Sequence, residues 1–221
     1  MSYTDLVYLS INAGGSSTYN NAVKAIELLE EERPGFTMKI QVIDSQTYSM
    51  PYGWYFCECA RKVRNGGELA ACVGELKQKL DCVEICLAAY SLRQMKKSGR
   101  VSAAAAVVGD LLGIRPIISL NAGVSKVEAK VRGDAAVPAA MLKWVESRVD
   151  SMKDTPYMVA YTSSTAKRDE LAKLCRKAFG HPPLIVFQLG GVVSANTGPD
   201  AIAIVYEGHP RNLEAYAPQL P

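Results

Sequence analysis

Short apolar runs alternate along this chain with longer stretches in which apolar residues recur every three or four positions. The first run, residues 6–11, precedes a turn of small residues and then a stretch over residues 18–32 with apolar positions 22, 25, 26 and 29. This pattern predicts a buried strand, a turn and an amphipathic helix. It continues with a predicted strand and two predicted helices, at residues 38–43, 52–64 and 68–80. The strand-helix-strand order predicts a parallel sheet.

The same alternation restarts near residue 82 and predicts a second α/β unit. Its predicted strands are residues 83–88, 115–120, 125–131, 157–162, 184–188 and 201–206. Asn-Ala-Gly at residues 121–123 is typical of a hairpin turn, so this sheet is predicted to be mixed. The fold class is therefore α/β, a two-lobed arrangement of parallel or mixed sheets flanked by helices. The lobes are predicted at residues 1–81 and 82–221.

Helix ends in the second unit are indicated by capping residues. Asp134 is predicted to cap a helix over residues 135–149, and Ser164 or Thr165 to cap the following helix. A short helix ending near Lys97 and an alanine-rich helix over residues 102–112 are also predicted. Together these helices cover the strands of the second sheet.

Composition excludes several classes of protein. Hydrophobic residues make up 48% and charged residues 21%, which is typical of a globular chain. Every apolar run falls short of the roughly 18 residues that cross a bilayer. The 25 basic and 22 acidic residues are too balanced to indicate a nucleic-acid surface. Residues 1–5 lack the start of a signal peptide, so a cytoplasmic location is expected.

Catalytic and metal-binding residue types are few. The cysteines lack paired metal-site spacing and are predicted to be buried thiols, without a metal: Cys57, Cys59, Cys72, Cys82, Cys86 and Cys175. The two histidines, His181 and His209, stand beside prolines in predicted surface turns. Asp44 ends a predicted strand, where a structural role is favoured. We therefore predict no catalytic residue.

Three loops are candidates for ligand binding. Residues 12–18 join a buried strand to a helix N-terminus, where backbone N–H groups and the helix dipole attract a carboxylate or phosphate. Capping by Ser17 or Thr18 is the alternative interpretation. Arg100, in a basic loop before residue 102, is either an anion clamp or a solvated side chain. Residues 190–199 form a small-residue loop that a plain turn explains equally well.

Six segments, in order, resemble motifs of the DegV family. Residues 8–19 are similar to its Ser-Ser-x-Leu-Ser-Gly-Thr-Tyr segment, and residues 42–45 to its Val-Ile-Asp-Ser strand end. The other four are Gly-Arg-Val-Ser at 99–102, Ile-Arg-Pro-Ile-Ile at 114–118, Lys-Val-Arg at 130–132 and Asn-Thr-Gly-Pro at 196–199. Ordered matches over this span are far more specific than any one motif.

The resemblance implies an acyl carrier rather than an enzyme. Members of that family bind a single fatty acid and serve as acyl-carrying subunits of bacterial fatty-acid kinases. Ser16 matches the serine that hydrogen-bonds the ligand carboxylate, which places Gly15, Ser17 and Thr18 beside the head group as well. The acyl tail is then expected in an apolar tunnel between the lobes. No cofactor is expected besides the bound fatty acid.

Further residues receive roles from the same resemblance. Arg100 matches an arginine near the head-group face, and Arg132 one on the kinase-facing surface. Asn196 and Thr197 fall on the family's His-Thr-Gly-Pro motif, with Asn196 in place of a titratable head-group histidine. Alanine-rich residues 103–108 either line the tunnel or serve tight helix packing.

One departure from the family leaves alternatives open. The family's first strand and its Thr-Ser-x-Pro loop have no counterpart here, so lobe 1–81 is expected to be incomplete. The sequence is then either part of a longer protein or that of a degenerate relative with a more open cleft. An acyl or phosphoryl transferase using the Ser16 loop and Arg100 is one alternative function. A ligand-free interaction module of the same fold, forming a homodimer, is the other.

Overall fold

Eight strands and seven α-helices make up the part of the chain that the structure describes. The computed structural model describes residues 3–100, 113–122 and 124–211. The strands are β1 Asp5–Ser10, β2 Lys39–Asp44, β3 Val83–Ala89, β4 Ile114–Asn121, β5 Val124–Arg132, β6 Tyr157–Tyr161, β7 Val186–Gln188 and β8 Ala201–Glu207. The helices are α1 Thr18–Glu32, α2 Met50–Arg64, α3 Leu69–Cys82, α4 Leu92–Ser98, α5 Val137–Glu146, α6 Thr165–Phe179 and α7 Gly191–Thr197. Each predicted strand is present, and its ends lie within two residues of the predicted ones.

The first sheet consists of β1 and β2, which pair in parallel as predicted. Leu9 and Ile43 are register partners and both are buried. The helix between the two strands makes the right-sized crossover for a parallel pair. Both strands therefore end at the same edge, and the loops after Ser10 and Asp44 lie side by side.

The second sheet has six strands in the order β5-β4-β3-β8-β6-β7. The pair β6 and β7 is parallel, whereas the other neighbours are antiparallel, so the predicted mixed sheet is confirmed. The hairpin joining β4 and β5 turns at Ala122, which has a φ of 47°. The fold is α/β, as the sequence pattern predicts.

Residues of the central strands alternate between two buried faces of this sheet. On β3, Ile85 and Leu87 pack with one core cluster, while Cys86 and Ala88 pack with another. The first cluster contains residues of α2 and α3, and the second contains residues of α5 and α6. Because both faces are covered, these strands are apolar at most successive positions rather than at every second one, and Glu84 of β3 is a buried exception.

The junction between the two units is direct. Helix α3 ends at Cys82 and β3 begins at Val83, one residue after the lobe boundary predicted between residues 81 and 82, which stays a prediction. Arg211 bridges the units: its guanidinium donates to the carbonyl oxygens of Val83 (2.9 Å) and Gln46 (3.3 Å) and to the Leu80 carbonyl oxygen. One side chain thus connects the loop after β2 to the start of the second sheet.

Strand β3 carries a buried carboxylate, that of Glu84. Glu84 is 4% exposed at its side chain and accepts from Arg148 Nη2 at 2.6 Å and from Arg148 Nε at 3.2 Å. The Tyr206 hydroxyl donates to the same carboxylate at 2.8 Å. Burial and the adjacent carboxylate raise the pKa of Tyr206, so its phenol stays a donor.

Three details differ from the sequence predictions. Asp134 begins a short 3₁₀ turn and makes no side-chain cap, because its carboxylate accepts instead from Arg115 Nε at 2.8 Å. Residues 190–199 contain helix α7 rather than a plain turn. Cys57 is exposed and Cys82 half-buried, so only four of the six free thiols are buried as predicted.

Of two further predictions, one is confirmed by the structure and the other falls on residues that the structure does not describe. The Ser164 cap is confirmed, since its hydroxyl accepts from the Lys167 N–H at 3.3 Å. The alanine-rich segment over residues 102–112 lies outside the described residues. Within the described ranges, no helix has the length and apolar character needed to cross a membrane.

Candidate functional site

A cavity of about 250 Å³ lies between the loops of the first sheet and one face of the second. Its floor is the face of the central strands that carries Ile85 and Leu87. Ala160 and Ala203 are register partners on neighbouring strands and also line the cavity. These two small side chains leave open space where larger residues would fill the core. Most of the wall is apolar, as is usual for small-molecule sites.

The loop between β1 and α1 brings Ser16 to the cavity wall. Ser16 Oγ lies 2.7 Å from the Thr18 hydroxyl and accepts from the Thr18 N–H at 3.3 Å. When the Thr18 hydroxyl donates as well, the Ser16 proton remains available to a ligand. Ser17 is the residue before α1, but its side chain makes no capping hydrogen bond. The helix start is thus organised by the Ser16 hydroxyl rather than by Ser17.

Hydrogen bonds from backbone N–H groups hold this loop against the loop after β2. The Asp44 carboxylate accepts from the N–H groups of Ala13 (3.1 Å) and Gln46 (2.9 Å). The Asn12 N–H donates to the Thr47 carbonyl oxygen at 3.1 Å. Asp44 therefore has the structural role that the sequence favoured, and the two loops form one unit at the cavity.

Tyr48 also lines the cavity, and the sequence reasoning did not assign it. Its hydroxyl accepts from Asn12 Nδ2 at 2.9 Å. A Cβ at Gly15 would lie 2.5 Å from the Tyr48 hydroxyl oxygen, so the ring packs directly over this glycine. The sequence shows only that Tyr48 follows a strand and that Gly15 follows another strand. No pattern in the sequence indicates that these two residues are in contact.

The far wall is formed by residues of α7 and by Arg100, which follows α4. Asn196 and Thr197 line the cavity, as does Arg100. The Asn196 amide donates one N–H to the Val192 carbonyl oxygen at 2.7 Å, which leaves its second N–H and its oxygen for a ligand. The Thr197 hydroxyl donates to Val193 at 3.1 Å and keeps its acceptor capacity. Gln94 Nε2 ties α4 to α7 by donating to the Ala195 carbonyl oxygen at 2.9 Å.

The structure brings together five of the residues predicted for ligand binding: Gly15, Ser16, Arg100, Asn196 and Thr197. Ser17 and Thr18 do not line the cavity, and Thr18 reaches it only through the Ser16 hydroxyl. Arg132 is exposed at the end of β5, an edge strand of the second sheet. A head-group role for Ser17 and Thr18 and a partner-facing role for Arg132 stay predictions.

Comparisons with known proteins agree with this architecture. The family model described as "Uncharacterised protein, DegV family" matches residues 1–209. This chain belongs to the DegV family. A DegV domain-containing protein of Clostridium perfringens is 26% identical over 207 residues, an alignment that covers 92% of this chain and 69% of that protein.

Solved DegV structures share the fold. The fatty acid binding DegV family protein of Streptococcus agalactiae is 26% identical, with a TM-score of 0.78, over 94% of this chain and 71% of that one. A DegV family protein of Eubacterium eligens loaded with heptadecanoic acid is 22% identical, with a TM-score of 0.76, over 93% of this chain and 73% of that one. The DegV fold is therefore shown for this chain by both sequence and structure.

Proposed function

We propose that this chain binds one long-chain fatty acid, with the carboxylate at the Ser16 loop and the acyl tail in the cavity. The observation that carries the proposal is the composition of the cavity wall. An apolar floor of strand residues faces a small set of hydrogen-bonding groups: Ser16, Tyr48, Arg100, Asn196 and Thr197. An amphiphile with one polar end and a long apolar tail matches such a wall.

The energetics of the proposal come mainly from the tail. Each methylene moved from water into the cavity contributes about 0.8 kcal/mol. Hydrogen bonds to a carboxylate contribute roughly 1.5–3 kcal/mol each and fix the orientation of the ligand. The hydroxyl of Ser16 and the guanidinium of Arg100 supply donors of both the neutral and the charged kind. The apolar part of the wall therefore provides most of the affinity for the tail, whereas the polar part positions the carboxylate.

Related proteins support the proposal. The Streptococcus agalactiae relative is a fatty acid binding protein, and the Eubacterium eligens relative was crystallised with heptadecanoic acid. A relative from Eubacterium ventriosum binds stearic acid. The acids named span 17 and 18 carbons, which is why we propose a long-chain ligand.

The decisive experiment is native mass spectrometry of the gently purified chain, followed by extraction and identification of any bound small molecule. We expect one fatty acid per chain. A chain that emerges empty and also fails to take up added palmitic acid would contradict the proposal and favour the ligand-free interaction module.

Ser16→Ala should weaken fatty-acid binding by roughly tenfold, because one hydroxyl donor to the carboxylate is lost. Ser147→Ala is the matched control, since Ser147 is exposed and directly follows α5, which packs on the other face of the second sheet. Titration calorimetry with palmitic acid measures both. Equal affinities for the two variants would remove Ser16 from the head-group site.

We also propose that the loaded chain presents its acid to a cytoplasmic fatty acid kinase, with Arg132 on the contact surface. Arg132 is exposed at the end of the edge strand β5, and none of the described residues of β5 lines the cavity. Arg132→Ala should therefore leave palmitic acid binding unchanged and lower the rate of acyl-phosphate formation by a partner kinase several-fold. An unchanged rate would place the kinase contact elsewhere.

A transferase is less well supported by the geometry. Nucleophilic use of Ser16 requires a base within hydrogen-bond reach. Within residues 3–100, 113–122 and 124–211, the partners of Ser16 Oγ are the hydroxyl and N–H of Thr18. His181 packs against Tyr157, and His209 contacts Asp150. Neither histidine lines the cavity.

A further inference from the structure

Among the described residues, the Tyr48 hydroxyl acts only as an acceptor, in its hydrogen bond from Asn12. Asn12 is 1% exposed, and its Oδ1 accepts from the Gly14 N–H at 2.9 Å. That bond fixes the orientation of the amide, so Nδ2 is the atom facing Tyr48 and must donate to it. The phenol oxygen is thus an acceptor in this contact. Its own proton has no acceptor among the residues that the structure describes.

The surroundings direct this proton toward the cavity. Tyr48 lines the wall together with Ser16 and Ser49. The ring lies over Gly15, where a Cβ would approach the phenol oxygen to 2.5 Å and Cε1 to 2.9 Å. Asn12 occupies one side of the hydroxyl and the Gly15 backbone another, so the open side is the cavity.

The backbone around Tyr48 is held in uncommon conformations. Gln46 has a φ of 53° and Ser49 a φ of 63°, both in the left-handed region that residues with a Cβ rarely adopt. The Gln46 carbonyl and side-chain oxygens both accept from Arg211 Nη1, at 3.3 and 3.0 Å. Strain that the surrounding structure maintains is typical of functional loops.

We propose that Tyr48 Oη donates a hydrogen bond to the carboxylate of the bound fatty acid and makes the site prefer free acids to neutral acyl lipids. This inference rests on the proposed fatty-acid binding and adds a specificity-determining residue to it. The Asn12 amide acts through Tyr48 as a positioning group, because it occupies the phenol lone pair and leaves only the donor for the ligand.

The phenol remains a donor over the physiological pH range. Burial raises the pKa of Tyr48, and the nearby Asp44 carboxylate raises it further, while the Asn12 hydrogen bond acts in the opposite direction. The net shift is upward, so the hydroxyl is protonated at neutral pH. The phenol is a neutral donor. It favours a free acid over an ester because an ionised carboxylate is a stronger hydrogen-bond acceptor than an ester.

Tyr48→Phe tests the proposal, because it removes one oxygen and keeps the ring over Gly15. Binding of palmitic acid and of methyl palmitate is measured for the parent chain and the variant by titration calorimetry. We expect palmitic acid affinity to fall roughly tenfold or more, and the preference for the acid over the ester to fall roughly fivefold or more. Equal losses for both ligands, or no loss, would overturn the assignment.

A control variant and the parent chain together distinguish failure of the proposed function from failure of the role of Tyr48. Tyr52→Phe removes the hydroxyl of a half-buried tyrosine that does not line the cavity, and it should leave both affinities unchanged. A parent chain that binds neither ligand contradicts the proposed function itself, and the role of Tyr48 falls with it. A parent chain that binds palmitic acid while Tyr48→Phe binds it equally well overturns the role of Tyr48 alone.

Discussion

Replacing Arg148 with methionine will lower the free energy of unfolding by about 3 kcal/mol. The substitution leaves the Glu84 carboxylate in the core without the guanidinium that contacts it at 2.6 Å. Methionine preserves much of the apolar stem, so the loss reports mainly on the uncompensated charge. Because the Arg148 side chain is 34% exposed, water reaches part of the site and keeps the loss below that of a fully buried pair. Urea unfolding followed by circular dichroism measures it.

The matched control for this substitution is Lys24→Met. Lys24 and Glu27 form an ion pair at 2.9 Å, but their side chains are 62% and 54% exposed. Exposed pairs of this kind contribute about 0–1 kcal/mol. Similar unfolding free energies for the two variants would show that the Glu84 carboxylate is not held as a buried charge.

Ala203→Phe is expected to weaken binding of long-chain fatty acids on the order of a hundredfold. Ala203 forms part of the cavity floor beside Ala160, and a phenyl group there occupies space proposed for the tail. Excluding three or four methylenes from burial costs about 2.4–3.2 kcal/mol, which is on the order of a hundredfold in affinity. Shorter acids should lose less. Titrations with a series of acids of decreasing length measure the effect.

Protein stability distinguishes a blocked cavity from a damaged core. The new ring enters open space, so the thermal midpoint of Ala203→Phe should stay near that of the parent chain. Ala139→Phe is the control, since Ala139 is exposed on α5, on the opposite side of the sheet. Unchanged binding by Ala203→Phe would place the tail outside this cavity.

The sequence pattern predicted the elements well because strand and helix periods are local properties. Thr18–Glu32 matches its predicted bounds, and β1 pairs with β2 in parallel as the connecting helix requires. Helix α7 was missed because its seven residues, from Gly191 to Thr197, are small, β-branched or polar and lack an apolar stripe. It is stabilised by its side-chain bonds and its contact with α4, neither of which a local pattern contains. Asp134 was misassigned because a cation distant in sequence, Arg115, competes for its carboxylate.

The candidate site was only partly predictable for the same reason. Ser16 and Gly15 stand at a strand-to-helix turn, which is a known location for anion binding and can be found without coordinates. Their partner across the cavity, Tyr48, depends on the register between the ends of two parallel strands and on the conformation of Ser49. Arg100 and Asn196 join the site because the second sheet places α4 and α7 beside it. The family resemblance supplied these two residues, whereas residue patterns alone left them as loop positions.

Because the central strands have two buried faces, substitutions on one face are expected to have different effects from substitutions on the other. Residues that alternate along the same strand serve different tasks: Leu87 and Ala203 shape the chamber, whereas Cys86 and Ile204 pack against the helices behind it. A change in the first set alters what the chamber admits while the packing of the second set is untouched. Under the proposed function, single substitutions in the first set should change the acyl length that fits, while the packing of α5 and α6 on the other face is kept.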